Sequence, residues 1–187
     1  VPFKIEDFKA RGIPYGGARP ALFEVIMSTP QFVTGDASKI SFQCMAAQIP
    51  PATVGVIEVP YFGRKAKVAG DRVFPDWTIN VINDEDFPVR DIMEQWSNGI
   101  NTLENNLRLG DTIESYKTTS DALVTQYSKS GVILRQYKLI SCWPNNVEAI
   151  NLDWDRTNAI ETFAVTLSYD YWILNSTQGL PQGDVIE

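Results

Sequence analysis

"IETFAVTLSYDYW", residues 160–172, decides the fold class. Phe163, Val165, Leu167, Tyr169 and Tyr171 alternate with Thr162, Ala164, Thr166, Ser168 and Asp170. A side-chain period of two sends alternate residues to opposite faces of a strand. The stretch therefore predicts one long antiparallel strand with a dry face. Outward from it, "DWTINVIN" (76–83) places Trp77, Ile79 and Val81 on one face and Thr78 and Asn80 on the other. "KISFQCMAAQIP" (39–50) has Ile40, Phe42, Cys44 and Ala46 at even positions, and "ALFEVIMST" (21–29) reads as a first strand. "PPATVGVIEVPYFGRKAKVAGD" (50–71) offers two β-rich runs broken by Phe62-Gly63, which predicts a hairpin. Strands resume at "VILRQYKLISCW" (132–143), and "NVEAINLDWD" (146–155) is expected to add a short one.

One segment has a different period. Val89, Ile92, Met93, Trp96, Ile100, Leu103 and Leu107 form the stripe of a single helix over about 88–107. Pro88 in its first turn and the acids just before it are helix-start chemistry. Gly99 is expected to weaken the helix midway, and residues 98–121 to form a loop-rich excursion. The sum is six to eight strands and one principal helix: a mainly β chain, an antiparallel β-sandwich or small barrel with one flanking α-helix. Residues 1–20, with "RGIPYGGARP", read as an irregular N-terminal arm, 21–173 as a single β domain, and 174–187 as a polar C-terminal extension.

Composition narrows the function. The 187 residues suit one domain, and 44% apolar content supplies a core. Sixteen basic against 23 acidic residues give a net charge of −7, with no run of three basic residues to draw phosphate. The chain contains no histidine, which removes the commonest general base and metal ligand together. Cys44 and Cys142 cannot by themselves form a four-cysteine zinc site or a redox motif; two buried free thiols are expected, with a disulfide as the alternative. No run of 18 apolar residues is present, so no membrane anchor is expected. Residues 1–7 lack the order of a signal peptide, and residence in a cytoplasm until assembly follows as an expectation.

The carboxylates of "VAGDRVFPDWTINVINDED" (68–86) are the densest candidate for chemistry. Glycoside hydrolysis needs two acids about 5–10 Å apart, one of them raised in pKa. Asp84-Glu85-Asp86, however, falls at a strand-to-helix junction, where acids meet the helix N-terminus. "DWDRTN" (153–158) begins like a calcium loop but has Asn158 where the motif needs glycine and Ala164 where it needs glutamate. An Asx-type turn is the simpler reading. No nucleophile has a partner and no phosphate loop is present, so neither enzyme activity nor a cofactor or metal is expected.

Five segments taken in order resemble the tail tube protein family of T4-like contractile-tailed bacteriophages. They are "RPALFEV" (19–25), "FQCMAAQIPPATV" (42–54), "IEVPYFGRKAKVAGDRVFPDWTINVINDED" (57–86), "RQYKLISCWPNNVEAINLDWD" (135–155) and "NAIETFAVTLSYDYW" (158–172). Together they cover roughly half the chain. The resemblance implies a structural virion protein of the phage tail whose copies form hexameric rings. The rings stack into an inner tube inside a contractile sheath, the tube meets baseplate and tail-terminator proteins, and genomic DNA passes down its lumen without specific binding. An acidic lumen would let DNA slide. The loop at 30–38, the stretch at 98–131 and the C-terminal extension match the family less well. Candidate inter-subunit contacts are Arg19 and Pro20 at the end of the arm, and Tyr61, Phe62, Arg64, Lys65, Asp71 and Arg72 on the hairpin. The alternatives are the inner tube or a tube-capping baseplate protein of a phage-derived injection or secretion system. A monomeric carbohydrate-binding or hydrolytic β-sandwich is the reading from a different class.

Overall fold

A computed structural model describes residues 4–110, 112–118 and 121–175. Near the N-terminus, α1 (Ile5–Asp7) runs into a π-helical turn (Phe8–Gly12), so this part of the arm is coiled rather than irregular. The strands are β1 (Phe23–Ile26), β2 (Cys44–Ala47), β3 (Thr53–Tyr61), β4 (Arg64–Val73), β5 (Trp77–Ile82), β6 (Ala122–Tyr127), β7 (Ile133–Ile140), β8 (Trp143–Val147), β9 (Thr162–Ser168) and β10 (Tyr171–Leu174). The helices beyond the arm are α2 (Ser38–Gln43), α3 (Pro88–Ile100) and a 3-10 turn at Ile113–Tyr116.

Two four-stranded sheets, ordered β1-β6-β7-β10 and β2-β5-β9-β8, are antiparallel throughout. Their inner faces share one core. Val25, Val124 and Leu139 enter it from the first sheet, and Trp77, Ile79, Val81, Phe163, Val165 and Leu167 from the second. These are the dry faces that the alternation in β5 and β9 predicts. Helix α3 closes the core with Val89, Ile92, Met93 and Trp96, all buried. Buried Trp96 donates its indole N–H to the Tyr116 carbonyl, which satisfies its polar atom.

Several sequence expectations fail. Ile40–Gln43 is helix, not strand. Asp36 accepts hydrogen bonds from the Ser38 backbone N–H (3.0 Å) and hydroxyl (2.6 Å), which starts a helical turn. Ile40 and Cys44 satisfy the period of a strand and the i,i+4 spacing of a helix alike, and both are buried. Helix α3 stops at Ile100, so Leu103 and Leu107 are exposed instead of continuing the stripe. The Asn98 side chain accepts from the Leu103 backbone N–H and turns the chain away. Gly99 lies in the last turn and does not break it. A Cβ there would stand 2.1 Å from the Phe32 ring, so the absent side chain is what lets Phe32 pack.

Strand β6 falls in a stretch where no strand is expected, and the described residues hold ten strands rather than six to eight. In β6, Thr125 is buried beside buried Val124, which spoils a clean alternation. The short strand expected within 146–155 is β8, placed earlier; residues 151–161 form turns. The long strand at 162–171 is in fact two. β9 ends at Ser168, the chain bends at Asp170, and β10 joins the other sheet beside β7. Tyr171 consequently leaves the dry face and is half-exposed.

Candidate assembly interface

Strands β3 and β4 stand apart as a two-stranded sheet. The turn Phe62-Gly63 has φ of 40° and 80°, the left-handed pair of a tight two-residue hairpin, where glycine carries no steric penalty. Nine residues in β3, at about 3.3 Å each, project the turn roughly 30 Å from its root. The register shifts between Val54 and Val56, where Gly55 and Gly70 approach closely; a Cβ on Gly70 would meet the Gly55 carbonyl at 3.3 Å. Beyond this bulge Ile57 pairs with Val68, Val59 with Ala66 and Tyr61 with Arg64. Directly paired residues share a face, so one face of the ribbon is apolar with a cationic end. The opposite face carries Glu58 beside Lys67 and Pro60 beside Lys65, with a Lys65–Glu58 ion pair of 2.5 Å.

The root is fixed to the body. Trp77 donates its indole N–H to the Gln48 carbonyl (2.7 Å), and Trp172 donates to the Pro51 carbonyl (3.1 Å). Phe74 packs against Tyr169 and Trp172 at ring separations of 6.2 and 6.4 Å. Past the root nothing among the described residues covers the ribbon. Ile57, Val59, Val68, Tyr61 and Phe62 are exposed, Phe62 at 92%.

The structure gathers Tyr61, Phe62, Arg64 and Lys65 at the hairpin tip, where the two rings meet edge to face at 4.7 Å. Asp71 and Arg72 lie near its root, exposed, with Arg72 opposite Val54; among the described residues no ion pair joins them. Arg19 and Pro20 lie elsewhere, beside β6, where the Arg19 carbonyl accepts from the Gln126 side chain at 3.4 Å. Arg19 also lines a largely apolar groove between the arm and the β6–β7 turn, with Ile13, Tyr15, Lys129 and Leu134.

The acids of 68–86 do not converge. Asp76 accepts from the Ser168 hydroxyl (2.6 Å) and the Asn145 amide (2.7 Å), tying β9 and β8 to the start of β5. Asp86 pairs with Lys39 at 2.8 Å, and that hydrogen bond holds its carboxyl below the ordinary range. A general acid needs the opposite shift. Asp84 accepts from the Glu85 backbone N–H. Helix α3 begins at a left-handed Phe87 without a side-chain cap, and the acids expected at its start lie in the turn just before it. At 153–156 the Asp153 side chain accepts from the Asp155 N–H (3.1 Å), the Asx turn expected there. No cluster of metal-ligand type occurs among the described residues. Both cysteines are free and buried, and burial pushes the Cys44 thiol up to about 11 and the Cys142 thiol up to about 12. Among the described residues no helix is long and apolar enough to cross a membrane.

Residues 17–175 match the phage tail tube protein family. The chain belongs to that family. It is 38% identical over 156 residues to the tail tube protein gp19 of Enterobacteria phage T4, covering 83% of this chain and 90% of that one. The tail tube protein of Serratia phage KSP90 is 26% identical over 172 residues, covering 88% and 93%. Among solved structures, a chain in the baseplate of the anti-feeding prophage superposes with a TM-score of 0.62 at 11% identity, covering 84% and 95%. A chain in the sheath–tube complex of an extracellular contractile injection system superposes at 0.57 with 16% identity, covering 92% and 98%. These two establish the fold. The relatives make the chain a structural tail tube protein, a component of the phage tail.

Proposed function

We propose that this chain is the protomer of hexameric rings that stack into the inner tube of a contractile phage tail. The surrounding sheath, baseplate and tail-terminator proteins are its partners, and genomic DNA is its passenger. The observation that supports this is the free amphipathic ribbon, β3–β4. A two-stranded hairpin is marginal in water alone, and its stability comes from packing one face on something else. Here that face has no cover among the described residues, so a neighbouring copy supplies it. Tyr61, Phe62, Arg64 and Lys65 act at the tip of this contact, Asp71 and Arg72 near its root. Arg19 and Pro20 act at the end of the arm, 1–20, which seats on an adjacent subunit. The exposed edges β1, β10, β2 and β8 are short, which suits strands that pair only within a closed ring. The chain takes no part in chemistry and binds no cofactor; it is assembled in the host cytoplasm. The high identity to phage proteins favours a phage tail over an injection or secretion apparatus.

Negative-stain microscopy of the purified protein tests the reading: rings and tubes are expected, and a strictly monomeric protein at high concentration overturns it. Removal of residues 1–14 is expected to impair tube formation, and normal tubes would remove the arm from the account. Assembled tubes are expected to bind duplex DNA poorly at low salt, since an acidic conduit repels phosphate. Tight, salt-sensitive binding would contradict the acidic lumen.

A further inference from the structure

The loop between β8 and β9 is another place where large apolar side chains face water. Trp154 is 99% exposed, and Leu152 and Ile160 are close behind. They border a cavity of about 250 Å³ with Asp153, Arg156 and Glu161 on its wall. The depression is open to solvent and far larger than a single water needs, so it can take an aromatic side chain. Over 148–161 the acids Glu148, Asp153, Asp155 and Glu161 face a single Arg156, a net charge of −3. The hairpin, 53–73, has the opposite sign: Arg64, Lys65, Lys67 and Arg72 against Glu58 and Asp71 give +2, in a chain of net −7. Its tip presents two exposed rings, Tyr61 and Phe62, next to Arg64 and Lys65. Arg64 and Asp155 make no ion pair among the described residues.

We infer that the Trp154 loop is the receptor for the hairpin tip of a second copy of this chain. Phe62 and Tyr61 enter the cavity beside Trp154, Leu152 and Ile160, while Arg64 and Lys65 meet the Asp153–Asp155 carboxylates. Both surfaces are open in the same chain, so they do not satisfy each other within it. Donor and acceptor are different patches, so each copy that docks its hairpin still offers a free receptor loop. Such a head-to-tail contact propagates until rotation closes it or it continues as a stack. Exposed aromatics next to arginine are the residue types that dominate binding energy at the centre of an interface, and the apolar loop gives them a pocket to fill. Complementary charge adds orientation and speed of encounter.

The inference rests on the tube reading, and cross-linking separates the two. Phe62→Cys with Leu152→Cys is assembled and treated with a short bismaleimide; wild-type tubes serve as control, because Cys44 and Cys142 are buried. A ladder of cross-linked dimers and higher species, absent from the control, is the expected result. Tubes that form but give only monomers overturn the receptor while leaving the tube reading intact. A wild-type chain that forms no rings or tubes overturns both. If the double variant does not assemble, Trp154→Ala decides. This exposed side chain is outside the core, so the melting temperature should hold while the concentration needed for tubes rises at least tenfold. Assembly at the wild-type concentration overturns the inference.

Discussion

The β-sandwich body and the β3–β4 hairpin use the same residue types to different ends. In β5 and β9 every second residue is apolar and buried in a core shared by two sheets and α3. In β3, beyond the bulge, Ile57, Val59 and Tyr61 alternate in the same way, yet from Thr53 to Val73 only Gly55 and Gly70 are even half-buried. Burial is worth about 25 cal/mol per Å² of apolar surface wherever it occurs. The body collects that stabilisation on folding, whereas on the proposed reading the hairpin keeps its share for a neighbouring copy. On that reading folding and assembly are separable, and mutations should fall on one side or the other.

The largest expected effect comes from replacing residues 53–73 with a short turn. Tubes should disappear while the melting temperature of the monomer moves little; a large fall in stability would show that the ribbon belongs to the body after all. Trp96→Ala is the converse. It empties a buried site and orphans the Tyr116 carbonyl, so it should cost about 3–5 kcal/mol in urea unfolding. Gly99→Ala drives a methyl into the Phe32 ring and should cost about 1–3 kcal/mol. Alkaline pH should produce a graded effect. The two thiols keep their protons in the folded state to about 11 and about 12, above the ordinary 9.0, so the unfolded chain binds fewer protons once pH exceeds that value. Stability is full below pH 9 and declines as pH rises toward 11–12, by up to about 1.4 kcal/mol per pH unit for each thiol. Cys44→Ala with Cys142→Ala should flatten the slope of stability against pH. The smallest effect on folding is expected for Val59→Ser, within about 0.5 kcal/mol, although the same change should weaken tube formation.

The parts of this comparison differ in how far the sequence discloses them. Strands β5 and β9 are legible because one dry face leaves a clean alternation, and the hairpin because Phe62-Gly63 interrupts two β-rich runs. Strand β6 is not, since Thr125 is buried beside Val124 and the period is lost. Ile40 and Cys44 fit two periods, and only the Asp36–Ser38 hydrogen bonds decide for helix. The stripe of α3 runs on through Leu103 and Leu107 because periodicity carries no stop signal; the Asn98 side chain supplies one. The candidate interface was readable as residue types at a turn. That it stands uncovered, with its apolar side set by a bulge at Gly55 and Gly70, depends on tertiary placement that local pattern does not encode.

The bend at Asp170 has a mechanical consequence. Within two residues the backbone leaves the sheet containing β9 and enters the sheet containing β10. Two layers held only by apolar contact can slide, because dispersion and water exclusion are nearly indifferent to small lateral shifts. A covalent crossing turns that slip into stretching of the main chain, and Asp170 N–H bonded to the Ile140 carbonyl at 3.1 Å anchors the crossing at β7. A subunit built this way resists shear between its layers, the deformation that axial thrust imposes on the wall of a thin cylinder.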